Sequence, residues 1–263
     1  MRRFVPLLAL IGMVSEARAG DGVVWSWDRD DPACVLRQDI DGRVLKIGRT
    51  PGNDQTSLII EGSMPITYAR KTFQGGSIGF QPTGSVEAEP TVIEGADRRR
   101  AIYALSRDPN FMAKFSGASE VVFRHEKAGE TKALIRAAGA AANALRACED
   151  RKMREWGIDP VGWRALSVKP KPKTPVDKWL SWLDYPDREI AYKDDIFVVA
   201  RLDLGADGSV QGCTVVNGPP KQFIDASCKA LRRNAKLQPA RDAAGVGVPS
   251  LYVIEVRFGA YLL

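Results

Sequence analysis

Hydrophobic and polar positions alternate in several short stretches of the first half of the chain, a pattern typical of half-buried β-strands. Residues 34–40 and 43–47 lie on either side of Asp41-Gly42, a pair that favours the tight turn of a β-hairpin. Further short apolar stretches bounded by turn residues predict the strands Ser57–Glu61, Ser77–Phe80, Thr91–Glu94, Ala101–Leu105 and Glu120–Arg124. The first half of the chain is therefore expected to be rich in β-structure.

A helical period follows these strands. Apolar residues recur every three or four positions and would share one face of a helix; they are Leu134, Ala138, Ala141, Leu145 and Cys148. Gly157 ends the pattern. The sequence thus predicts one long helix from about Thr131 to Trp156, with Cys148 facing the core.

Lysine and proline alternate from Val168 to Pro175, which predicts a stiff, extended spacer. Beyond it the apolar pattern predicts, in order, a strand over Ile196–Leu204, a strand over Ser209–Val216, a helix over Phe223–Ala235 and a strand over Leu251–Phe258. This β-β-α-β order lets one helix cover one face of a three-stranded antiparallel sheet. We expect an α+β protein with a β-rich N-terminal domain, one long helix, and a small C-terminal domain.

The first residues have the layout of a secretory signal peptide: a basic start, an apolar run over residues 4–14, and Ala17-Arg18-Ala19 as a small-x-small cleavage site. The apolar run is shorter than the roughly 20 residues that cross a bilayer. We expect a signal peptide over residues 1–19, cleaved after Ala19, with a membrane anchor that keeps the leader as the alternative. The predicted remainder is a domain over 20–166, a Lys/Pro-rich linker over 167–181, and a domain over 182–263.

The net charge and the residue types present argue against several classes of function. The leader carries a net charge of +2, and subtracting it from the +6 of the whole chain leaves a mild excess of +4. No basic stripe interleaved with aromatic residues is present, so we expect no nucleic-acid partner. His125 is the one histidine, which excludes zinc sites that need two, and no catalytic motif is recognisable. We therefore expect no metal, no cofactor and no enzyme, with an enzyme in residues 20–166 kept as an alternative.

Four cysteines in an exported chain predict two disulfides, for which three connectivities exist. We favour Cys34 with Cys148 and Cys213 with Cys228, because each bridge then stays within one predicted domain. Buried free thiols are the alternative for both pairs.

The C-terminal segment resembles the C-terminal domain of the TonB family of periplasmic energy transducers, over about Leu183 to Phe258. The matching features are Tyr185-Pro186 ahead of the first strand, Asp207-Gly208-x-Val210 at the hairpin, Leu237-x-Pro239 after the helix, and the apolar last strand that closes on Phe258. Two features depart from the family. Ile196 stands where the family usually has glycine, and a cleavable leader with a folded domain replaces a membrane helix with a long Pro-rich spacer.

The resemblance implies a binding function. In relatives, the exposed edge of the last strand pairs with an extended peptide of an outer-membrane receptor. Carried onto this sequence, the partner-binding edge strand comprises Leu251, Val253, Glu255 and Arg257, whereas Tyr252, Ile254, Val256 and Phe258 would pack under the helix. Alternatively, Glu255 and Arg257 only solvate the sheet.

Three functions stay open. The first is an exported periplasmic protein that binds a peptide strand of an outer-membrane or envelope protein and is linked to transmembrane transport. The second is an energy transducer anchored in the inner membrane by its leader, and the third is a periplasmic enzyme. The resemblance also leaves a strand-exchanged homodimer open.

Overall fold

The computed structural model describes residues 25–27, 34–53, 55–62, 72–74, 76–94, 100–125, 129–186 and 196–258. The predicted signal peptide lies outside these residues. In the described part, the N-terminal strands are β1 (Ser26–Trp27), β2 (Cys34–Ile40), β3 (Arg43–Arg49), β4 (Thr56–Gly62), β5 (Thr72–Gln74), β6 (Ser77–Gln81), β7 (Gly84–Val86), β8 (Glu89–Glu94), β9 (Arg100–Ser106), β10 (Glu120–His125) and β11 (Gly129–Leu134).

The remaining strands are β12 (Lys171–Pro172), β13 (Ile196–Leu204), β14 (Val210–Val215), β15 (Leu237–Gln238), β16 (Ala240–Arg241), β17 (Gly247–Val248) and β18 (Ser250–Phe258). The α-helices are α1 (Phe111–Ser116), α2 (Ala138–Glu155), α3 (Pro160–Ala165) and α4 (Lys221–Asn234), and short 3-10 turns lie at Val176–Lys178 and Trp182–Asp184. None of the helices described is both long and apolar enough to span a membrane.

Two antiparallel sheets and two helices build the N-terminal core. One sheet has the strand order β1-β2-β3-β4-β9-β8-β5 and the other has the order β11-β10-β6-β7. Both sheets contribute to a single buried cluster with α1 and α2, exemplified by Ile60, Phe80, Phe115 and Leu145. The predicted hairpin is confirmed: β2 pairs with β3, and Asp41 and Gly42 have φ angles of 49° and 73°. Positive φ at both turn residues matches the twist of the paired strands.

The long helix begins later than the sequence pattern predicts. Residues Gly129–Leu134 form β11, paired with β10, and α2 starts at Ala138. The reason is visible in the side chains of β11: Thr131 and Ala133 are buried, whereas Lys132 and Leu134 are exposed. That alternation of two is the period of a strand, and Leu134 coincides with the helical period only by its spacing from Ala138.

The C-terminal sheet has the order β14-β13-β18, as the β-β-α-β pattern predicts, and α4 covers one of its faces. Val198, Leu202, Tyr252, Ile254 and Phe258 form a common core with Phe223 and Leu231 of α4. A three-stranded sheet gains independent stability from such a cover, since its apolar face is otherwise open to water.

The Lys/Pro-rich segment is extended, as predicted, but it is not a free spacer. Strand β12 pairs with β15, and Lys173 N–H donates to the Lys236 carbonyl at 2.8 Å. Val168 forms an isolated bridge with Arg241. The segment therefore runs along the C-terminal region and is held to it by backbone hydrogen bonds.

Candidate peptide-binding edge

Strand β18 is the edge strand that the sequence singles out. It pairs with β13 along its whole length, from Ser250 opposite Leu204 to Phe258 opposite Ile196. Its even-numbered residues from Tyr252 onward lie in the core under α4, as the resemblance implies. The register therefore sends the odd-numbered side chains to the other face of the sheet.

The other face of the sheet is covered by the N-terminal region. Leu251 and Val253 are 1% and 0% exposed, and they form a buried cluster with Val199 of β13, Met153 of α2 and Trp163 of α3. We call this set of five residues the interface cluster. Burying an aliphatic side chain of this size contributes about 1.5–3 kcal/mol, so the contact between the two regions is substantial.

This burial differs from the sequence-based expectation. Leu251 and Val253 were expected to meet a partner, but their side chains already pack inside the protein. The physical reason lies in β18 itself, where Leu-Tyr-Val-Ile is apolar on both faces of the sheet. A strand that is apolar on both faces needs cover on both, and here α2 and α3 supply the second cover.

A turn of the N-terminal region also occupies part of the outer edge of β18. Val253 N–H donates to the Gly52 carbonyl at 3.4 Å. In an antiparallel strand, alternate residues direct their backbone groups to the same side, so residues 251, 253, 255 and 257 face away from β13. Gly52 has a φ of +75°, and a Cβ atom there would lie 2.1 Å from Leu251 Cδ1. The turn thus approaches β18 closely because this position is glycine.

The C-terminal half of the edge has a different character. Glu255, opposite Val199, has an exposed side chain. Arg257 lies opposite Phe197, which is 44% exposed, and the side chain of Arg257 lies outside the described residues. The backbone groups of Glu255 and Arg257 face outward, beyond the contact with Gly52. Of the three expected partner-binding residues whose side chains the structure describes, Glu255 is exposed, whereas Leu251 and Val253 are buried.

Aromatic contacts fix the end of β18. The ring of Phe258 lies 5.0 Å from that of Tyr185 and 5.1 Å from that of Phe223, both in edge-to-face geometry. Tyr185 belongs to the Tyr-Pro pair that carries part of the resemblance. Its contact explains why an aromatic residue stands ahead of the first strand: it holds the last strand against α4.

A carboxylate next to Tyr185 joins the segment before β13 to α4. Asp184 accepts hydrogen bonds from Ser181 N–H and Ser181 Oγ–H at 2.8 and 2.9 Å, and from the Arg233 guanidinium at 2.7 Å. Burial favours the protonated form, but the hydrogen bonds from Ser181 and Arg233 outweigh it and lower the pKa of Asp184. The charged form of Asp184 therefore stabilises this end of the domain.

A cation lies above an indole ring beside the interface cluster. The guanidinium carbon of Arg201, which is opposite Val253 in the sheet, lies 5.8 Å from the ring centroid of Trp156. Arg201 also forms an ion pair with Asp203 at 3.0 Å. A partly buried charged pair and a cation–π contact thus lie next to the apolar interface cluster.

Both disulfides join the cysteines that the sequence analysis paired. Cys34 of β2 is bonded to Cys148 of α2, with Cα atoms 5.9 Å apart, and Cys213 of β14 is bonded to Cys228 of α4, with Cα atoms 5.6 Å apart. The second bridge ties the helix to the sheet. Across the described ranges, no three His, Cys, Asp or Glu side chains are grouped closely enough to hold a metal ion.

Comparison with curated proteins and with solved structures finds no match. One family model matches residues 182–259, and its description is "Gram-negative bacterial TonB protein C-terminal". The matched segment comprises β13, β14, α4 and β18. It also contains both partners of the contact between Tyr185 and Phe258. Residues 182–259, less than a third of the chain, are therefore a TonB-type C-terminal domain.

Proposed function

We propose that this protein is exported to the periplasm, where its TonB-type domain binds an envelope protein by accepting an extended peptide along β18, in a process linked to transmembrane transport. One observation carries the proposal: β18 is an edge strand whose outward backbone groups at Glu255 and Arg257 lie beyond the contact with Gly52. Backbone groups at a sheet edge are suited to pairing with another strand.

The position of Gly52 limits the length of the added strand. A peptide that pairs with Glu255 and Arg257 leaves the Val253–Gly52 hydrogen bond intact. A peptide that extends to Leu251 must displace the Gly52 turn, and it would compete with the interface cluster for the same end of β18. We therefore expect a short pairing at the C-terminal half of the strand.

A backbone-directed pair of variants tests this mode of binding. Proline at position 255 removes an outward N–H and leaves the ladder to β13 in place, whereas alanine at 255 retains the N–H. A photoreactive residue at exposed Phe197, opposite Arg257, would report a strand bound at this edge. We expect crosslinking to an envelope protein to be lost in Glu255→Pro and retained in Glu255→Ala.

The controls decide the outcome. Thermal unfolding of both variants shows whether the domain still folds, and both must unfold at similar temperatures for the comparison to count. Equal crosslinking of the two folded variants would contradict strand addition at β18. Loss in both would instead indicate that the Glu255 side chain carries the binding.

The intact mass of the protein tests whether it is exported and cleaved. The intact mass of the protein recovered from the envelope should correspond to residues 20–263, in agreement with cleavage after Ala19. A mass that retains Met1, found in the inner-membrane fraction, would favour the anchored energy transducer over the periplasmic module.

A further inference from the structure

The opposite edge of the same sheet, at β14, also directs backbone groups outward. Val216 N–H donates to the Val199 carbonyl at 2.9 Å, so Val216 and, by alternation, Thr214 direct their backbone groups to β13. Cys213 and Val215 therefore direct theirs away from it. The Arg232 guanidinium donates to the Cys213 carbonyl at 3.4 Å, which agrees with this orientation.

A groove separates this edge from α4. It has a volume of about 810 Å³ and lies between residues 213–215 and one face of the helix, which includes Ile224, Lys229 and Arg232. The disulfide between Cys213 and Cys228 forms part of its lining and fixes the distance from strand to helix. A covalent bond thus fixes one wall of the groove relative to the other, which lowers the entropy cost of binding a ligand there.

The charge of the groove is positive. Its charged lining residues are Lys229, Arg232, Arg233 and Asp225. Asp225 is paired with Lys221, and Arg233 is paired with Asp184. Lys229 and Arg232 are exposed, and neither forms an ion pair with any residue that the structure describes. In the described part of the chain, two cations without carboxylate partners therefore flank the outer edge of β14.

We propose that this β14 groove binds an extended acidic peptide, which adds to β14 as a further strand while its carboxylates pair with Lys229 and Arg232. An edge strand flanked by a helix supplies both parts of such a site: backbone hydrogen bonds for the peptide main chain and side chains for selectivity. The site lies on the edge opposite to β18, so it is separate from the binding proposed above.

The test uses the full-length oxidised protein and a fluorescent peptide that alternates Glu and Val, with a peptide that alternates Lys and Val as its control. Fluorescence anisotropy should show binding of the acidic peptide and little binding of the basic one. Lys229→Glu combined with Arg232→Glu should weaken binding by about tenfold or more, since two ion pairs become two repulsions. The matched control is Lys236→Glu, an exposed lysine just past the helix that does not line the groove, and it should leave the affinity within about twofold.

Hydrogen exchange locates the peptide. Binding should slow exchange of the Cys213 and Val215 amides, which face outward, and leave Glu255 unchanged. The Glu255→Pro variant should bind the acidic peptide as tightly as the unaltered protein, which separates this site from β18. Equal binding by the double charge variant, protection at β18 instead of β14, or binding only through self-association of the chain would each overturn the proposal.

Discussion

The disulfide between Cys213 and Cys228 offers the sharpest test of how the small C-terminal sheet is stabilised. It joins β14 to α4 across a sequence separation of 15 residues. In the chain-entropy model, closing a loop of that length stabilises the folded state by about 3 kcal/mol. The double variant Cys213→Ala, Cys228→Ala should lower the free energy of unfolding by that amount. The smaller side chains should add little to this loss, because both positions are only half-buried and the cavity left behind is small.

Hydrogen exchange of β13 measures this loss directly. This strand lies at the centre of the three-stranded sheet, so its slowest amides exchange only when the sheet opens. A loss of about 3 kcal/mol corresponds to exchange that is faster by just over a hundredfold, at ~1.4 kcal/mol for each factor of ten.

The other disulfide is the matched control. Cys34 and Cys148 are 114 residues apart, and the same model assigns their bridge about 5 kcal/mol. Replacing both by alanine should accelerate exchange in β4 of the N-terminal region more than in β13. A change in β13 exchange of less than threefold in the Cys213/Cys228 variant, or equal effects of the two double variants on β13, would refute a stabilising role of this bridge in the sheet.

Two further predictions concern the contacts of β18 and the acid stability of the domain. Gly52→Ala should lower the free energy of unfolding by more than Gly42→Ala in urea titrations: both glycines have φ near +75°, at a cost of about 1–2 kcal/mol for an L-residue, but a Cβ atom at Gly42 meets nothing within 4 Å, whereas one at Gly52 meets Leu251. Equal losses would show that the close approach to Leu251 carries no energetic weight. Because the folded state lowers the pKa of Asp184 from its ordinary 3.8, this carboxylate contributes stability that is fully present above that pH and is lost as the pH falls through the lowered value. Asp184→Asn should therefore flatten the acid limb of the stability profile of the TonB-type domain, and an unchanged limb would assign it to other carboxylates.

Local signals explain why much of the secondary structure was predictable. Asp41-Gly42 predicts the β2–β3 hairpin because its two positive φ angles suit few other residue pairs. Strand β13 has the predicted bounds because its apolar residues are followed directly by a Gly-Ala-Asp-Gly turn. Helix α3 was missed although Asp159-Pro160 gave a signal for it: the Asp159 side chain accepts hydrogen bonds from the N–H groups of Val161 and Gly162.

Contacts between distant residues explain the remainder. The Lys/Pro-rich segment has the extended backbone that its prolines favour, but its pairing partner, β15, is more than sixty residues away along the chain. Nothing in the local pattern identifies such a partner. The same applies to the candidate site: the alternation along β18 places Leu251 and Val253 on the face away from α4, but it does not identify α2 and α3 as the helices that cover them. The nearly continuous apolar run of β18 was the one available indication that both of its faces are covered.

The positions of the two disulfides have a consequence for how the protein can move. One bridge lies within the N-terminal region and the other within the TonB-type domain, so neither crosses the interface cluster. The contact between the two regions is made by apolar packing and by hydrogen bonds such as that of Val253 to Gly52. Separating them would break no covalent bond. The redox state of the compartment therefore sets the rigidity within each half of the molecule, without setting the distance between the halves.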